Sequence, residues 1–223
     1  MNTKMLLFGL VGVLLACGCA SSTRTVRCAV PPRVDLRSFP MVGLVTFSTN
    51  GDRGLDRLST QRFLEALQSA QPGTRVVELG SEADVLKSVH RRSWDAQTLR
   101  AIKETHGVDV VVMGRLDVEK AKPNFQLSTF MRNLSANVDV NAALNCRLIE
   151  TASGATMWAD GSAMTANLAH ADVSGRSGSF GASDPEAVYG KMVDGLVWQV
   201  TDAFRVHYVF RRVPADQVVA SAD

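Results

Sequence analysis

Several side chains in this 223-residue sequence could do chemistry, and their spacing decides what kind. Asp109, Asp117 and Asp139 could supply a carboxylate pair, which acid–base catalysis builds from two groups with separated proton affinities. Nothing in the sequence brings them together, and aspartates at strand ends are ordinarily solvated. His90, His106, His170 and His207 are scattered, and none has a second ligand at the i, i+4 spacing of a helical zinc pair. His106, at a helix end, is expected to interact with the last helix carbonyls. Ser177 lies in Gly175-Arg176-Ser177-Gly178-Ser179, where Ser179 replaces the final glycine of a Gly-x-Ser-x-Gly nucleophile turn. Gly175, Gly178 and Gly181 are not followed by the Gly-Lys-Ser/Thr ending of a phosphate loop; they read as a flexible hairpin tip. His90-Arg91-Arg92 beside Trp94 could meet an acidic partner or lipid headgroups, though a solvated helix end with Trp94 packed inward is the plainer reading. The expectation is a protein that is not an enzyme, with no catalytic residue, no metal site and no cofactor.

The cysteines carry a sharper signal. Lys4 precedes Met5–Ala16, an uncharged apolar run that suits an export signal and is short of the roughly 20 residues of a spanning helix. Cys17 follows Leu14-Leu15-Ala16, and Cys19 follows Ala16-Cys17-Gly18. This resembles a lipobox, in which the cysteine thiol takes up a lipid and becomes the mature N-terminus. Leu14, three residues before Cys17, favours Cys17; Cys19 is the alternative. An ordinary cleaved signal, or an uncleaved anchor, is the alternative that the lipobox reading outweighs. More than one acyl chain holds a protein stably on a membrane. Neither cysteine precedes an aspartate, which in the lipoprotein sorting pattern favours the outer membrane of a Gram-negative cell. Cys28 and Cys146 remain; they could pair in an oxidising compartment, or Cys146 could be a small buried hydrophobe.

Composition is that of a globular protein, 46% hydrophobic and 21% charged. The net charge of +2 falls to about +1 without the leader, so no basic stripe points to a nucleic-acid partner. Residues 1–16 read as a signal peptide, 17–38 as a flexible tether, 39–211 as the folded domain and 212–223 as a disordered tail. Within the domain, MVGLVTF from Met41 and RVVEL from Arg75 read as strands, and Leu55–Ala70 as a helix with Leu55, Phe63, Leu67 and Ala70 on one face. Ser81 and Ser93 look like N-caps of two short helices, and Gly107 ends the second. Val108–Leu116 is an apolar run that suits a strand covered on both faces. From Asn137 to Leu148 apolar residues fall at every second position, which means a long strand with one covered face. Ala155–Asp160 starts its return strand. Ser174–Ser183, rich in glycine and serine, reads as mobile. Asp184-Pro185-Glu186 opens a last amphipathic helix. Trp158 and Trp198 are expected in the core. The fold class is α/β: helices on a mixed sheet with a long antiparallel hairpin and a closing C-terminal helix.

Two pieces, GVDVVVMG from Gly107 and RLIETASGATMW from Arg147, carry a family likeness. Together with the element order they resemble the fold shared by the curli-secretion lipoprotein CsgG, the penicillin-binding-protein activator LpoB and the N-terminal domain of TolB. The second piece is similar to that group's D-x-x-T-G-x-x-x-W turn, with Glu150 near the aspartate position. The resemblance covers about residues 40–206 and implies a non-enzymatic periplasmic module that binds envelope proteins.

The leading expectation is therefore an outer-membrane lipoprotein, facing the periplasm, whose domain binds another envelope protein. Its partners are a membrane, through the N-terminal lipid, an envelope protein, and possible copies of itself. The second reading is a subunit of an oligomeric secretion channel, whose members in that family add membrane-spanning hairpins. Such strands need about 9 to 11 residues with an outward apolar face. Asn124–Asn133 alternates in part, but Thr165–Gly181 is small and polar, so a weak lipid-facing row is expected. An envelope hydrolase is the third reading.

Overall fold

The computed structural model describes residues 23–51, 54–119, 122–128, 133–174, 177–182 and 184–214. Contacts divide the chain into two units, one of Pro32–Arg205 and one that joins the two ends of the chain.

In the larger unit the strands are β2 (Val42–Val45), β3 (Ser48–Thr49), β4 (Val76–Gly80), β5 (Val110–Val118), β6 (Lys122–Ser128), β7 (Asn133–Glu150), β8 (Thr156–Ser174) and β9 (Ser177–Ala182). The helices are α1 (Leu55–Ala70), α2 (Glu82–Ser88), α3 (Ala96–His106) and α4 (Pro185–Val200). They form one sheet in the order β4-β2-β5-β7-β8-β9, with β3 on β5 and β6 on β7. β2 runs parallel to β4 and β5, and every pairing from β5 through β9 is antiparallel. The mixed sheet and the closing helix are those expected from the residue pattern.

The apolar run in β5 is buried because helices cover both of its faces. Val110, Val112 and Leu116 join a core with Phe63 and Leu67 of α1 and Leu196 and Val200 of α4. Val111 and Met113 join a second core with Val85 of α2 and Leu99 and Ile102 of α3. This alternation leaves no polar position in the strand's first half, as the sequence run requires. Gly114 lies inside β5 rather than punctuating its end: a Cβ there would meet the buried Phe47 ring at 2.7 Å. On β7 the buried positions Val140, Ala142, Leu144, Cys146 and Leu148 alternate with exposed Asn141, Asn145 and Arg147.

The helix ends follow local chemistry. Ser81 caps α2 in a reciprocal box with Asp84. Gly107 ends α3 at φ 67°, a left-handed conformation that glycine adopts without a Cβ penalty. Asp184 caps α4, with Pro185 in its first turn. The cap of α3 is Asp95, not Ser93. Asp95 accepts from Thr98 N–H, while the Ser93 carbonyl accepts from the Thr98 hydroxyl.

One buried polar residue links three segments. Gln71, just past α1, accepts from Leu36 N–H at 2.7 Å and donates to the carbonyls of Val34 at 2.6 Å and Phe204 at 3.0 Å.

The smaller unit pairs β1 (Thr23–Val30) antiparallel with β10 (His207–Pro214). This corrects the reading of 17–38 as tether throughout, because Thr25, Val26 and Val30 are β-formers whose partner strand lies far away in the sequence. For the same reason β10 carries regular structure through Pro214, past the expected start of the tail. The glycine- and serine-rich stretch is also corrected: residues 177–182 are a strand, because β8 supplies an edge for their backbone to pair with.

Candidate functional site

The three aspartates are held apart by different partners. Asp109 pairs with Lys103 at 3.3 Å, Asp117 with Arg115 at 2.8 Å, and Asp139 accepts from Asn167 at 2.9 Å. His106 does not meet helix carbonyls: its Nε2 lies 2.9 Å from Ser88 Oγ, which brings α3 against α2. His90 sits in the turn after α2 at φ 54°. His207 lies in β10, and His170 in β8. Among the described residues no three metal-capable side chains converge. Arg91 is exposed and donates to Gln97, while Trp94 packs inward with its indole N–H buried and without a partner.

Cys17 and Cys19 lie outside the described residues. Cys28 and Cys146 are free thiols, so the pairing considered for them is absent. Cys146 is the small buried hydrophobe of the alternative reading, 4% exposed. Burial pushes its thiol pKa up, and the Asp160 carboxylate adds to the shift. A thiol held protonated is a poor nucleophile.

A recess of about 620 Å³ opens on the sheet beside α2 and is lined by Glu82, Arg115, Asn145, Arg147 and Asp160, among others. Arg115 is turned to Asp117, and Arg147 Nη2 lies 3.8 Å from Met113 Sδ. No nucleophile in this recess is hydrogen-bonded to a base among the described residues. The recess is a shallow dent on the sheet whose lining is more apolar than polar, with Met113, Gly114, Cys146 and Ala159 among its residues.

The most distinctive geometry lies past the helix layer, where β6, β7, β8 and β9 continue as four antiparallel strands. Register sets Leu127, Leu134, Val173 and Gly178 in one row. The next like-facing row is Phe125, Ala136, Ala171 and Phe180, and the third is Pro123, Val138, Ala169 and Ala182. Side chains alternate faces along a strand, so these rows share one face without a polar residue. The intervening rows are Ser128, Asn133, Ser174 and Ser177; then Gln126, Ser135, Asp172 and Ser179; then Asn124, Asn137, His170 and Gly181. Single-strand reading missed this pattern, because small alanines on β8 count as apolar only once their cross-strand neighbours are known. On β7 the alternation runs unbroken from Leu134 to Leu148, and its members from Val140 to Leu148 join the buried core.

An exposed feature lies on the outer side of α4. Trp198, expected in the core, is 65% exposed. The Arg205 guanidinium stacks 3.4 Å from its ring, and Arg62 bridges Glu65 and Asp194 nearby. Trp158, by contrast, packs on buried Phe204 at 4.8 Å. The core stripe of α4 runs through Met192, Val193, Leu196, Val197 and Val200, which leaves Trp198 on the opposite side of the helix.

Fold and surface together define a mixed α/β sandwich that carries an amphipathic four-stranded extension. No protein-family profile matches the sequence, and no curated protein matches it. Among solved structures the chain is similar to the PelC dodecamer from Paraburkholderia phytofirmans, at 11% identity over 82% of this chain and 98% of that one, with a TM-score of 0.40. It is similar to lipoprotein GNA1162 from Neisseria meningitidis, at 14% identity over 72% and 97%, with a TM-score of 0.39. It is also similar to the LpoB C-terminal domain from Escherichia coli, at 12% identity over 70% and 93%, with a TM-score of 0.33. The LpoB branch of the resemblance read from the sequence is thus among the neighbouring structures.

Proposed function

We propose that this chain is a non-enzymatic lipoprotein of the cell envelope that works as one subunit of an oligomeric channel. The observation that carries this reading is the two-sided extension. One face is apolar in every row and the other polar in nearly every one, which is the dyad pattern of a barrel wall between lipid and water. Four antiparallel strands per subunit make the two outer ones, β6 and β9, antiparallel to each other. Copies joined edge to edge would keep that alternation around a closed ring and cover the open edges. The seven residues of β6 span about 24 Å at the usual rise, near the height of an outer-membrane apolar band when upright and short of it when tilted.

In this reading residues 1–16 are removed on export, Cys17 or alternatively Cys19 carries the lipid, and the outer membrane holds it with the α/β unit in the periplasm. The expectation from sequence ranked the channel second because the Thr165–Gly181 row looked weak. The register supports the reverse order. The test is electron microscopy and bilayer conductance of detergent-extracted acylated protein. Rings that conduct are expected; a monodisperse monomer that never conducts overturns the reading.

The second reading, binding of another envelope protein by the α/β unit, is favoured by Trp198 and Arg205. Exposed tryptophan and arginine are the residue types that most often anchor interfaces. Crosslinking from a photoreactive group at position 198 in whole envelopes tests it. A specific adduct lost when Arg205→Ala is added supports it, and none counts against it.

A further inference from the structure

We infer that the β1–β10 ribbon is a membrane-surface clamp that lays one face on anionic lipid headgroups. Thr23–Val30 and His207–Pro214 contain Arg24, Arg27, Arg211 and Arg212 and no carboxylate. The register places Thr25 opposite Arg212, Arg27 opposite Phe210 and Ala29 opposite Tyr208. All six of these residues are exposed, Phe210 at 73% and Tyr208 at 52%. The Arg27 guanidinium stacks 3.6 Å from the Tyr208 ring. This face of the ribbon therefore joins two cations, Arg27 and Arg212, to two aromatic rings, Tyr208 and Phe210, a combination that suits the interface between headgroups and acyl chains. The other face carries Arg24, Val30, His207, Val209 and Arg211 exposed and Val26, Cys28 and Val213 half-buried, and it has no aromatic residue.

Chain length supports a lipid occupant. Thr23 is four residues from Cys19 and six from Cys17, so no conformation carries it more than about 14 or 21 Å from an acylated residue at either site. Charge supports an anionic one: each arginine near such a surface is worth about a fivefold gain in binding. A two-stranded ribbon is also marginal alone in water, and a surface to lie on would hold it. The inference rests on the anchored-lipoprotein reading for its setting, but its test does not depend on that anchor.

The test is sedimentation of the full chain carrying Cys17→Ser and Cys19→Ser with vesicles of neutral phosphatidylcholine, with and without phosphatidylglycerol. Binding that rises with phosphatidylglycerol and falls with salt is expected. Arg27→Gln with Arg212→Gln should weaken the phosphatidylglycerol-dependent part about 25-fold and leave the neutral-vesicle background unchanged, at about fivefold per charge. Arg27→Lys with Arg212→Lys should retain most of it, which excludes misfolding as the cause. The inference is overturned if the parent gains nothing from phosphatidylglycerol, or if the glutamine variant binds within twofold of the parent. A failed anchor shows separately, as wild-type protein without attached fatty acid.

Discussion

Ala171 occupies the middle of the three apolar rows of the extension, with Ala136 and Phe180 beside it. If the rows face lipid, this is the position nearest the bilayer midplane, and Ala171→Arg is the most damaging single charge that can be placed there. An arginine on the lipid face of a barrel costs about 2 to 4 kcal/mol at the midplane and about 0 to 1 near the interfaces. The larger range is roughly a 30- to 900-fold loss of inserted over uninserted subunit, and every subunit in a ring bears it. Ser135→Arg is the matched control. It lies one position along β7 from Ala136, in the polar row with Gln126, Asp172 and Ser179. The assay is the fraction of protein that resists alkaline extraction from membranes, read with the yield of rings in mild detergent. Ala171→Arg should abolish both, Val173→Arg should weaken them less, and Ser135→Arg should leave them near the parent. Equal behaviour of Ala171→Arg and Ser135→Arg would refute the assignment of faces.

Gln71→Leu should destabilise the larger unit by about 2 to 4 kcal/mol in urea unfolding, because it leaves Leu36 N–H buried without an acceptor and two carbonyls without donors; a loss under about 1 kcal/mol contradicts that role. Gly114→Ala should cost about 1 to 3 kcal/mol through overpacking on Phe47, and Phe47→Leu in the same chain should recover part of it in thermal melts. With Cys17 and Cys19 replaced by serine, a thiol reagent should label half-buried Cys28 in the native protein and Cys146 only on unfolding; native labelling of Cys146 would show that the β7 core opens. Asp95 has its carboxyl pKa lowered below 3.8, chiefly by the Thr98 backbone N–H, so its stabilisation is present above the ordinary value and lost as pH falls through the lowered folded one. Asp95→Asn should therefore flatten the acid limb of the urea midpoint against pH, and an unchanged limb would remove Asp95 as its source.

Much of the sandwich was legible because its signals are local. The β5 run, the period-two alternation of β7, the Ser81, Asp184 and Gly107 caps and the α1 stripe each follow from residues within a few positions. What escaped the sequence depends on pairing between distant segments. β1 finds its partner 177 residues on at Val30–His207 and 191 on at Thr23–Pro214, so its sequence alone reads as a tether. β9 is glycine- and serine-rich and becomes a strand only because β8 offers an edge. Gln71 reads as an ordinary helix-end residue until Val34 and Phe204 arrive beside it. Trp198 was placed inside on residue type, whereas its position on α4 turns it outward. The extension is the clearest case: each strand carries a weak alternation, and the two-sided surface exists only in the register of all four.

Engineered cysteines on the two open edges test the assembly most directly. Gln126→Cys and Ser179→Cys lie in the same row of one subunit, on β6 and β9, with two strands between them. In a chain whose Cys28, Cys146 and, where Cys17 carries the lipid, Cys19 are replaced by serine, oxidation in native membranes should yield a ladder of covalent multimers for the double variant or for a neighbouring β6–β9 pair. Each single variant should stay monomeric on a denaturing gel. If folded, membrane-held double variants across the row give no multimer at all, β6 and β9 of different copies do not meet, and the channel reading fails.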